Sequence, residues 1–227
     1  MIGLTVGAVV VGSAAYGAFH RNSPVFGSVL GRLPTNENIV SLTFDDGPNP
    51  ESTPRILDAL KEKNVKATFF ILGRHAERWP DLVLRIAHEG HQIGNHGYFH
   101  RKLHFKRPFY VRQDIKLGKR AIERAGAPAP NWFRAPHGFR NPWVNSIASS
   151  MGERVAGWSL GVWDTDKPGV KEIVKRTVDG TRAGSIILLH DGDGYDPEGD
   201  RMQTASAVPL IIDELNAKGF RFETLPA

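Results

Sequence analysis

Short apolar runs alternate with longer stretches of helical periodicity from residue 39 to the end of the chain. Seven runs have the length and the bounding residues of strands: 39–44, 67–72, 92–95, 132–134, 155–159, 185–190 and 220–224. Six stretches have the periodicity of helices: 53–63, 80–89, 109–125, 142–151, 170–181 and 204–217. Strands that alternate with helices predict an α/β fold with parallel strands and the helices outside.

Polar clusters follow the ends of five of these strands. They are Asp45 with Asp46, His96 with His100, residues 134–138, Asp164, and His190. In a parallel barrel all strand ends share one face, where active sites lie. An open doubly wound sheet gathers its strand ends only near the switch point. Five separate contributions therefore favour a parallel (β/α) barrel.

The adjacent acids Asp45 and Asp46 end the first strand and are followed by Gly47 and Pro48. Consecutive strand residues point to opposite faces, so both carboxylates can share a site only if the chain turns there. Gly47 and Pro48 provide that turn. An Asx-turn with a helix cap is the alternative interpretation of this motif.

His96 and His100 offer two imidazoles, and Gly94 and Gly97 place them in a loop. The chain has no cysteine, so a zinc ion would have to bind to histidine and carboxylate. One acid can hold a divalent metal with both histidines while its neighbour stays free as a base. These residues predict a metal-assisted hydrolase that releases an acyl group from an amide. Exposed loop histidines without a metal are the alternative.

Arg134 and His190 are two further candidates. An arginine beside a carboxylate keeps it ionised and orients it, as a general base requires. The alternative for Arg134 is an incidental surface ion pair. His190 ends the apolar run 184–189, so it is either a core histidine or a catalytic acid. Asp164 is a candidate partner that would keep His190 protonated.

These segments together resemble the polysaccharide deacetylase family, whose members are metal-dependent carbohydrate esterases acting on chitin, chitooligosaccharides and peptidoglycan. Five family motifs occur in order across residues 38–225. The resemblance implies a distorted parallel (β/α) barrel with about seven strands and removal of N-acetyl groups from amino sugars. It implies Asp46, His96 and His100 as ligands of a divalent metal, for which zinc suits the donors best, with Asp45 as base and His190 as acid.

The resemblance also assigns supporting roles. Arg134 would orient the base and Asp164 would tune the acid. Leu189 would line the pocket for the acetyl methyl group. The backbone of His137, beside Gly138, would donate to the oxyanion, and Trp163 would contribute to the sugar-binding surface.

Three positions depart from the family pattern. Gly97 replaces the Ser or Thr that normally follows the first metal histidine, which should loosen the metal loop rather than abolish the site. His137 replaces the usual residue before the motif's glycine. Thr165 replaces a frequent Trp, with Trp163 nearby. A carbohydrate-binding barrel without turnover, or an amide hydrolase of small or lipid-linked substrates, are the alternative functions.

The N-terminal residues predict where the protein lies relative to a membrane. Residues 2–19 are uncharged and rich in Val, Ala and Gly, at the lower length limit of a membrane span. We predict an uncleaved membrane anchor in residues 1–21, with a cleaved export signal and a secreted protein as the alternative. Residues 22–37 are predicted to be a linker and residues 38–227 an extracytoplasmic catalytic domain. Charge does not set the orientation, because nothing basic precedes the span.

The net charge of +5 is unevenly placed. Nine Lys or Arg lie in residues 101–124, against Asp114 and Glu123. This basic segment could bind an anionic cell-wall polymer or membrane surface, and a solvated helix face is the alternative. No stacking series or helix-turn-helix pattern accompanies it, so nucleic acid is not an expected partner. The acidic loop 191–200 departs from the EF-hand order and is predicted to border the cleft.

Overall fold

A computed structural model describes the backbone of residues 2–227 and the side chains of residues 11–227. Within this range the strands are β1 (Ile39–Asp45), β2 (Thr68–Ile71), β3 (Gln92–Asn95), β4 (Trp132–Phe133), β5 (Arg154–Val155), β6 (Leu160–Gly161), β7 (Ile186–His190) and β8 (Arg221–Phe222). The helices are α1 (Ile2–Phe19), α2 (Ser52–Glu62), α3 (Gly73–Arg78), α4 (Pro80–His88), α5 (Pro108–Arg124), α6 (Val144–Ser150), α7 (Val170–Gly180) and α8 (Met202–Ala217).

The strands form one parallel sheet in the order β5-β4-β3-β2-β1-β7-β6, and β8 pairs with the beginning of β1. The sheet curls into a half-barrel with the helices outside it. This confirms the predicted distorted parallel barrel, with seven strands along the main path. β6 is an addition to the predicted set, and β8 is the seventh predicted strand in shortened form.

The centre of the sheet lies in the core. From Val40 to Asp45 every residue of β1 is buried, as expected of a parallel strand covered on both faces. Leu42 and Phe44 pack in one apolar cluster with Phe69 of β2 and Ile187 of β7. Helices α2, α7 and α8 contribute their apolar stripes to the same cluster. The central strand therefore holds its carboxyl end in a rigid setting.

The predicted linker, residues 22–37, lies against the barrel. The Leu30 N–H donates to the Val155 carbonyl at 3.0 Å, and the Gly157 N–H donates to the Leu30 carbonyl at 2.9 Å. Leu33 is buried, and its N–H donates to the Gly184 carbonyl at 2.8 Å. The segment is thus held by backbone hydrogen bonds to the end of β5 and to loops of the barrel. The domain boundaries themselves stay predictions.

The N-terminal helix α1 ends on the barrel. The Arg140 N–H donates to the Ala18 carbonyl at 3.1 Å, and the rings of Phe19 and Phe139 are 5.5 Å apart. Among the side chains that the structure describes, no helix is long and apolar enough to cross a bilayer. Residues 1–10, which hold half of the predicted anchor, lie outside the described side chains. The anchor and the export signal therefore stay predictions.

Helix α5 carries most of the basic segment. Its apolar face is buried through Val111, Ile115 and Ile122, and its lysines and arginines lie on the other side. This arrangement is that of an amphipathic surface helix. An anionic partner for it stays a prediction.

Candidate active site

Asp45 and Asp46 lie at a sharp turn at the end of β1. Asp46 has a φ of 73°, a left-handed conformation that turns the chain directly after the strand. Both carboxylates are buried and both border the same cavity. The predicted turn is therefore present, and it brings the two adjacent acids to one side.

Asp191, which sequence reasoning missed, supports this turn from behind. Its carboxylate lies where a side chain at Gly47 would be, 2.0 Å from an ideal Cβ, so only glycine fits there. Thr53 donates to Asp191 Oδ2 at 2.6 Å. Burial raises the pKa of Asp191 to about 7. Its position directly after His190 is the one sequence signal that could have marked Asp191 as a site residue. Its contact with Gly47 joins two distant parts of the chain, so no local pattern predicts it.

Asp46, His96 and His100 form the one group of potential metal ligands within the described residues. Asp46 Oδ1 is 3.3 Å from His96 Nε2 and 3.1 Å from His100 Nε2, and the three ligand atoms all lie within 4.8 Å of one another. Asp46 Oδ1 is buried and has no hydrogen-bond partner among these residues. A buried acceptor without a partner between two imidazoles fits a divalent cation.

The ionisation and the orientation of these ligands suit metal binding. His96 Nδ1 lies 2.8 Å from the Arg134 carbonyl, which places the proton on Nδ1 and leaves Nε2 free as the ligand atom. Burial works to raise the pKa of Asp46, but the imidazoles of His100 and His96 hold it far below its usual range. Asp46 is therefore a carboxylate.

Arg134 holds Asp45 from behind the cavity. Its Nη1 donates to Asp45 Oδ1 at 2.6 Å and to Thr43 Oγ1 at 2.9 Å, and its Nη2 donates to the Gly157 carbonyl at 2.8 Å. The guanidinium is fully buried and lies over the Phe70 ring at 4.0 Å. One oxygen of Asp45 is thereby fixed while Oδ2 stays 3.7 Å from His96 Nε2. This is the orienting contact that the sequence predicts.

His190 and Asp164 form the second predicted pair. The register of β1 and β7 sets His190 directly beside Asp45. Asp164 Oδ1 lies 2.9 Å from His190 Nδ1, and its Oδ2 accepts the His190 N–H and the Thr204 hydroxyl, each at 2.8 Å. Burial favours neutral His190, but the carboxylates of Asp164, Asp46 and Asp45 raise its pKa to about 9. His190 is therefore held as an imidazolium that can release a proton.

A cavity of about 690 Å³ joins these groups. This volume is within the usual range of small-molecule sites. The cavity borders eight of the predicted site residues, namely Asp45, Asp46, His96, His100, His137, Trp163, Asp164 and His190. Arg134 lies behind them.

The prediction that Leu189 lines the substrate pocket is wrong. Leu188 borders the cavity, whereas Leu189 is buried in the core cluster with Phe44. Alternate residues of a strand share a face, so Leu188 lies on the side of His190 and Leu189 on the opposite side. Leu188, rather than Leu189, is therefore the leucine placed to make the apolar contact that the resemblance implies.

The turn at His137 and Gly138 leaves one backbone donor free. The Gly138 N–H donates to the Ala135 carbonyl at 2.8 Å, and an ideal Cβ at Gly138 would meet Trp158 at 2.8 Å. Among the described residues no acceptor takes the N–H of His137. The N–H of His137, a residue that borders the cavity, is therefore the donor of this turn that a ligand could use.

Sequence reasoning missed one side of the cavity. Phe19, His20 and Arg21 of the N-terminal segment border it, as does Phe139. Tyr195 borders it too, which confirms that the acidic loop 191–200 lies at the cleft. No local pattern indicates residues 19–21 as part of a site, because they lie in a stretch that predicts membrane insertion.

Gly97 has a structural explanation in this chain. Its φ is +78°, and an ideal Cβ would lie 2.3 Å from Asp114 Oδ2. Asp114, on α5, is buried and accepts the Phe99 N–H at 3.1 Å. The carboxylate of Asp114 thus fills the space beside the metal loop and supports the loop from α5.

We expect Gly97→Ser to destabilise the protein rather than restore a family contact. Left-handed backbone strain costs about 1–3 kcal/mol, and the clash with Asp114 adds to it. Gly152→Ser is the matched control, since Gly152 has the same φ of +78° but open space around it. Thermal unfolding of the metal-free protein should give a lower Tm for Gly97→Ser than for the control. Equal Tm values would contradict the clash.

Comparisons with known proteins agree with this geometry. The family model described as polysaccharide deacetylase matches residues 32–156. A peptidoglycan-N-acetylglucosamine deacetylase of Bacillus cereus is 38% identical over 204 residues, which cover 88% of this chain and 92% of the relative. A chitooligosaccharide deacetylase of Azorhizobium caulinodans is 34% identical over 209 residues, covering 88% of this chain and 100% of the relative.

A solved structure is similar over the same part of the chain. The crystal structure of the Bc1960 peptidoglycan N-acetylglucosamine deacetylase superposes with a TM-score of 0.82 at 38% identity, covering 87% of this chain and 91% of that chain. The fold, the shared cavity and the two relatives lead to one conclusion. The chain belongs to the polysaccharide deacetylase family.

Proposed function

We propose that this chain is a zinc-dependent N-deacetylase of amino-sugar residues in peptidoglycan or a chitin-like glycan, with acetate as the released product. The observation that carries the proposal is the convergence of a metal-ligand triad, an oriented carboxylate and a charged histidine on one cavity. Relatives named for peptidoglycan and for chitooligosaccharides support deacetylation of amino-sugar polymers.

Asp46, His96 and His100 would hold the metal. Two imidazoles and one carboxylate leave an open position and suit zinc, which has no need of thiolates. A divalent ion held there would supply a Lewis acid for the amide carbonyl and lower the pKa of a water molecule. The other steps belong to the side chains of this chain.

Asp45 and His190 carry the protons. Asp45 Oδ2 takes a proton from the attacking water as the water oxygen bonds to the amide carbon. Negative charge develops on the former carbonyl oxygen, where the free N–H of His137 can donate. His190 gives its proton to the amide nitrogen as the C–N bond breaks. The products are acetate and a free amine on the sugar.

The location of the protein forms part of the same proposal. The uncharged residues 2–19 support a membrane anchor, and a glycan substrate of the cell wall would place the catalytic domain outside the cytoplasm. The end of α1 on the barrel would then keep the cavity near the membrane surface.

Acetate release tests the proposal directly. The full chain, solubilised in mild detergent, is offered chitooligosaccharides and peptidoglycan after chelation and again after adding zinc. We expect release only after zinc is restored, and the preferred glycan names the substrate. No release from a folded, zinc-loaded protein would contradict the proposal. Release from a small amide alone would favour the amide-hydrolase alternative.

The pH profile tests the role of Asp164. His190 must be protonated to act as an acid, so activity should fall as the pH rises past about 9, the raised pKa of His190. Asp164→Asn removes the charge that raises this pKa while burial still lowers it, so the alkaline limb should move down by about one unit or more. Thr204→Val, which removes a hydrogen bond to Asp164 but keeps the charge, should move the limb much less. An unmoved limb in Asp164→Asn would contradict the pairing.

A further inference from the structure

The end of the N-terminal helix forms part of the wall of the catalytic cavity. Phe19, His20 and Arg21 border the same cavity as Asp45 and His190. They belong to a segment that the sequence assigns to membrane anchoring, and nothing in the chemistry of deacetylation requires them. Their place beside the reacting groups therefore calls for a separate explanation.

This wall is fixed to the barrel by polar contacts. Arg21 Nε and Asn22 Nδ2 both donate to the Trp158 carbonyl at 2.9 Å, and the Arg21 guanidinium lies 5.3 Å from the centre of the Trp158 ring. The Arg140 N–H holds the Ala18 carbonyl at 3.1 Å. Residues 18–22 are therefore held in one position relative to the cavity.

Aromatic rings run from this wall to the metal ligands. Phe19 contacts Phe139 edge-on at 5.5 Å, and Phe139 stacks on His137 at 5.7 Å. His137 Nε2 lies 3.0 Å from the Tyr195 hydroxyl, and the His137 ring is 4.6 Å from that of His100. Phe19 is 55% exposed and Tyr195 is 62% exposed, so about half or more of each side chain is accessible.

Such a surface suits a sugar chain. A pyranose ring presents an apolar C–H face with a rim of hydroxyl groups, and aromatic side chains with nearby polar groups bind amphipathic ligands of this kind. The described wall has both parts, since the rings of Phe19 and Phe139 lie beside the polar groups of His20 and Arg21. This wall and the proposed base and acid, Asp45 and His190, border the same continuous cavity.

We propose that residues 19–21 bind the sugar units that neighbour the one being deacetylated, with Phe19 as a stacking surface. The inference rests on the proposed function and deepens it. The glycan would then bind in contact with the last residue of α1, so the N-terminal segment would help to select long substrates.

The test compares long and short substrates in the full, zinc-loaded chain. Phe19→Ala is measured for KM and kcat on chitotetraose, on soluble peptidoglycan fragments and on 4-nitrophenyl acetate, which has no neighbouring sugar unit to bind at the wall. We expect KM for the glycan to rise about fivefold or more. KM for the small ester should stay within twofold of wild type. Phe19→Tyr, which keeps the ring, should restore the glycan KM.

Phe109→Ala is the matched control, because Phe109 is 74% exposed on α5 and does not border the cavity. An unchanged glycan KM in Phe19→Ala would overturn the inference, and so would an equal loss on both substrates, which would make Phe19 a purely structural residue. Unchanged glycan KM with weaker binding to lipid vesicles would assign the wall to the membrane instead. Absence of acetate release by the wild type from any glycan would overturn the proposed function, and the inference with it.

Discussion

Asp46→Ala should lose the bound metal and, with it, nearly all acetate release. Asp46 supplies the one carboxylate of the triad, and its Oδ1 lies within 3.3 Å of both ligand nitrogens. Without it, two imidazoles remain, too few for a structural or catalytic zinc site. Because the metal contributes several kcal/mol of transition-state stabilisation, we expect kcat to fall by about 10³-fold or more.

Zinc content after dialysis and the rate of acetate release are the two measurements. Asp166→Ala is the control, since Asp166 is an exposed acid that borders the same cavity outside the triad. It should keep one zinc per chain. Full zinc content in Asp46→Ala would contradict the assignment of the ligands.

Asp45→Asn and His190→Ala should each remove most activity while zinc stays bound. Asn at position 45 can still accept the hydrogen bond from Arg134, but it cannot take a proton from water. Ala at position 190 cannot give a proton to the leaving nitrogen. Loss of one proton carrier reduces rates by about 10²–10⁴-fold.

These variants separate proton transfer from metal binding. Single-turnover rates on a chitooligosaccharide are measured beside zinc content, with His88→Ala on α4 as a histidine control outside the cavity. Zinc content should equal that of wild type in all three proteins. A wild-type rate in Asp45→Asn or His190→Ala would contradict the roles proposed for these residues.

The elements with strong local patterns were predictable from the sequence. β3 begins and ends at the predicted residues, and α8 differs from its prediction by two residues at its beginning. β6 has two residues and no local pattern, since it exists through its pairing with Ile187 and Leu188 of β7. The six-residue helix α3 begins at a glycine, which is a poor helix former, so tertiary contacts decide it.

The site was predictable where chemistry-bearing residues end strands, as at Asp45, Asp46 and His190. The choice between Leu188 and Leu189 was not, because an unbroken apolar run gives no sign of which residues face the cavity. The wall at residues 19–21 was not predictable either. Its partners Phe139 and Trp158 are more than a hundred residues away in the chain.

The pairing of β1 with β7 has a consequence for the order in which the active site forms during folding. The ligands after β1 and β3 come from the first half of the chain, but the acid on β7 reaches Asp45 only when a loop of nearly 150 residues closes. Closing such a loop is slow, and contacts of this sequence separation are made late. A nascent or refolding chain would therefore assemble its ion-binding half first and become competent for turnover only when its C-terminal third joins the sheet.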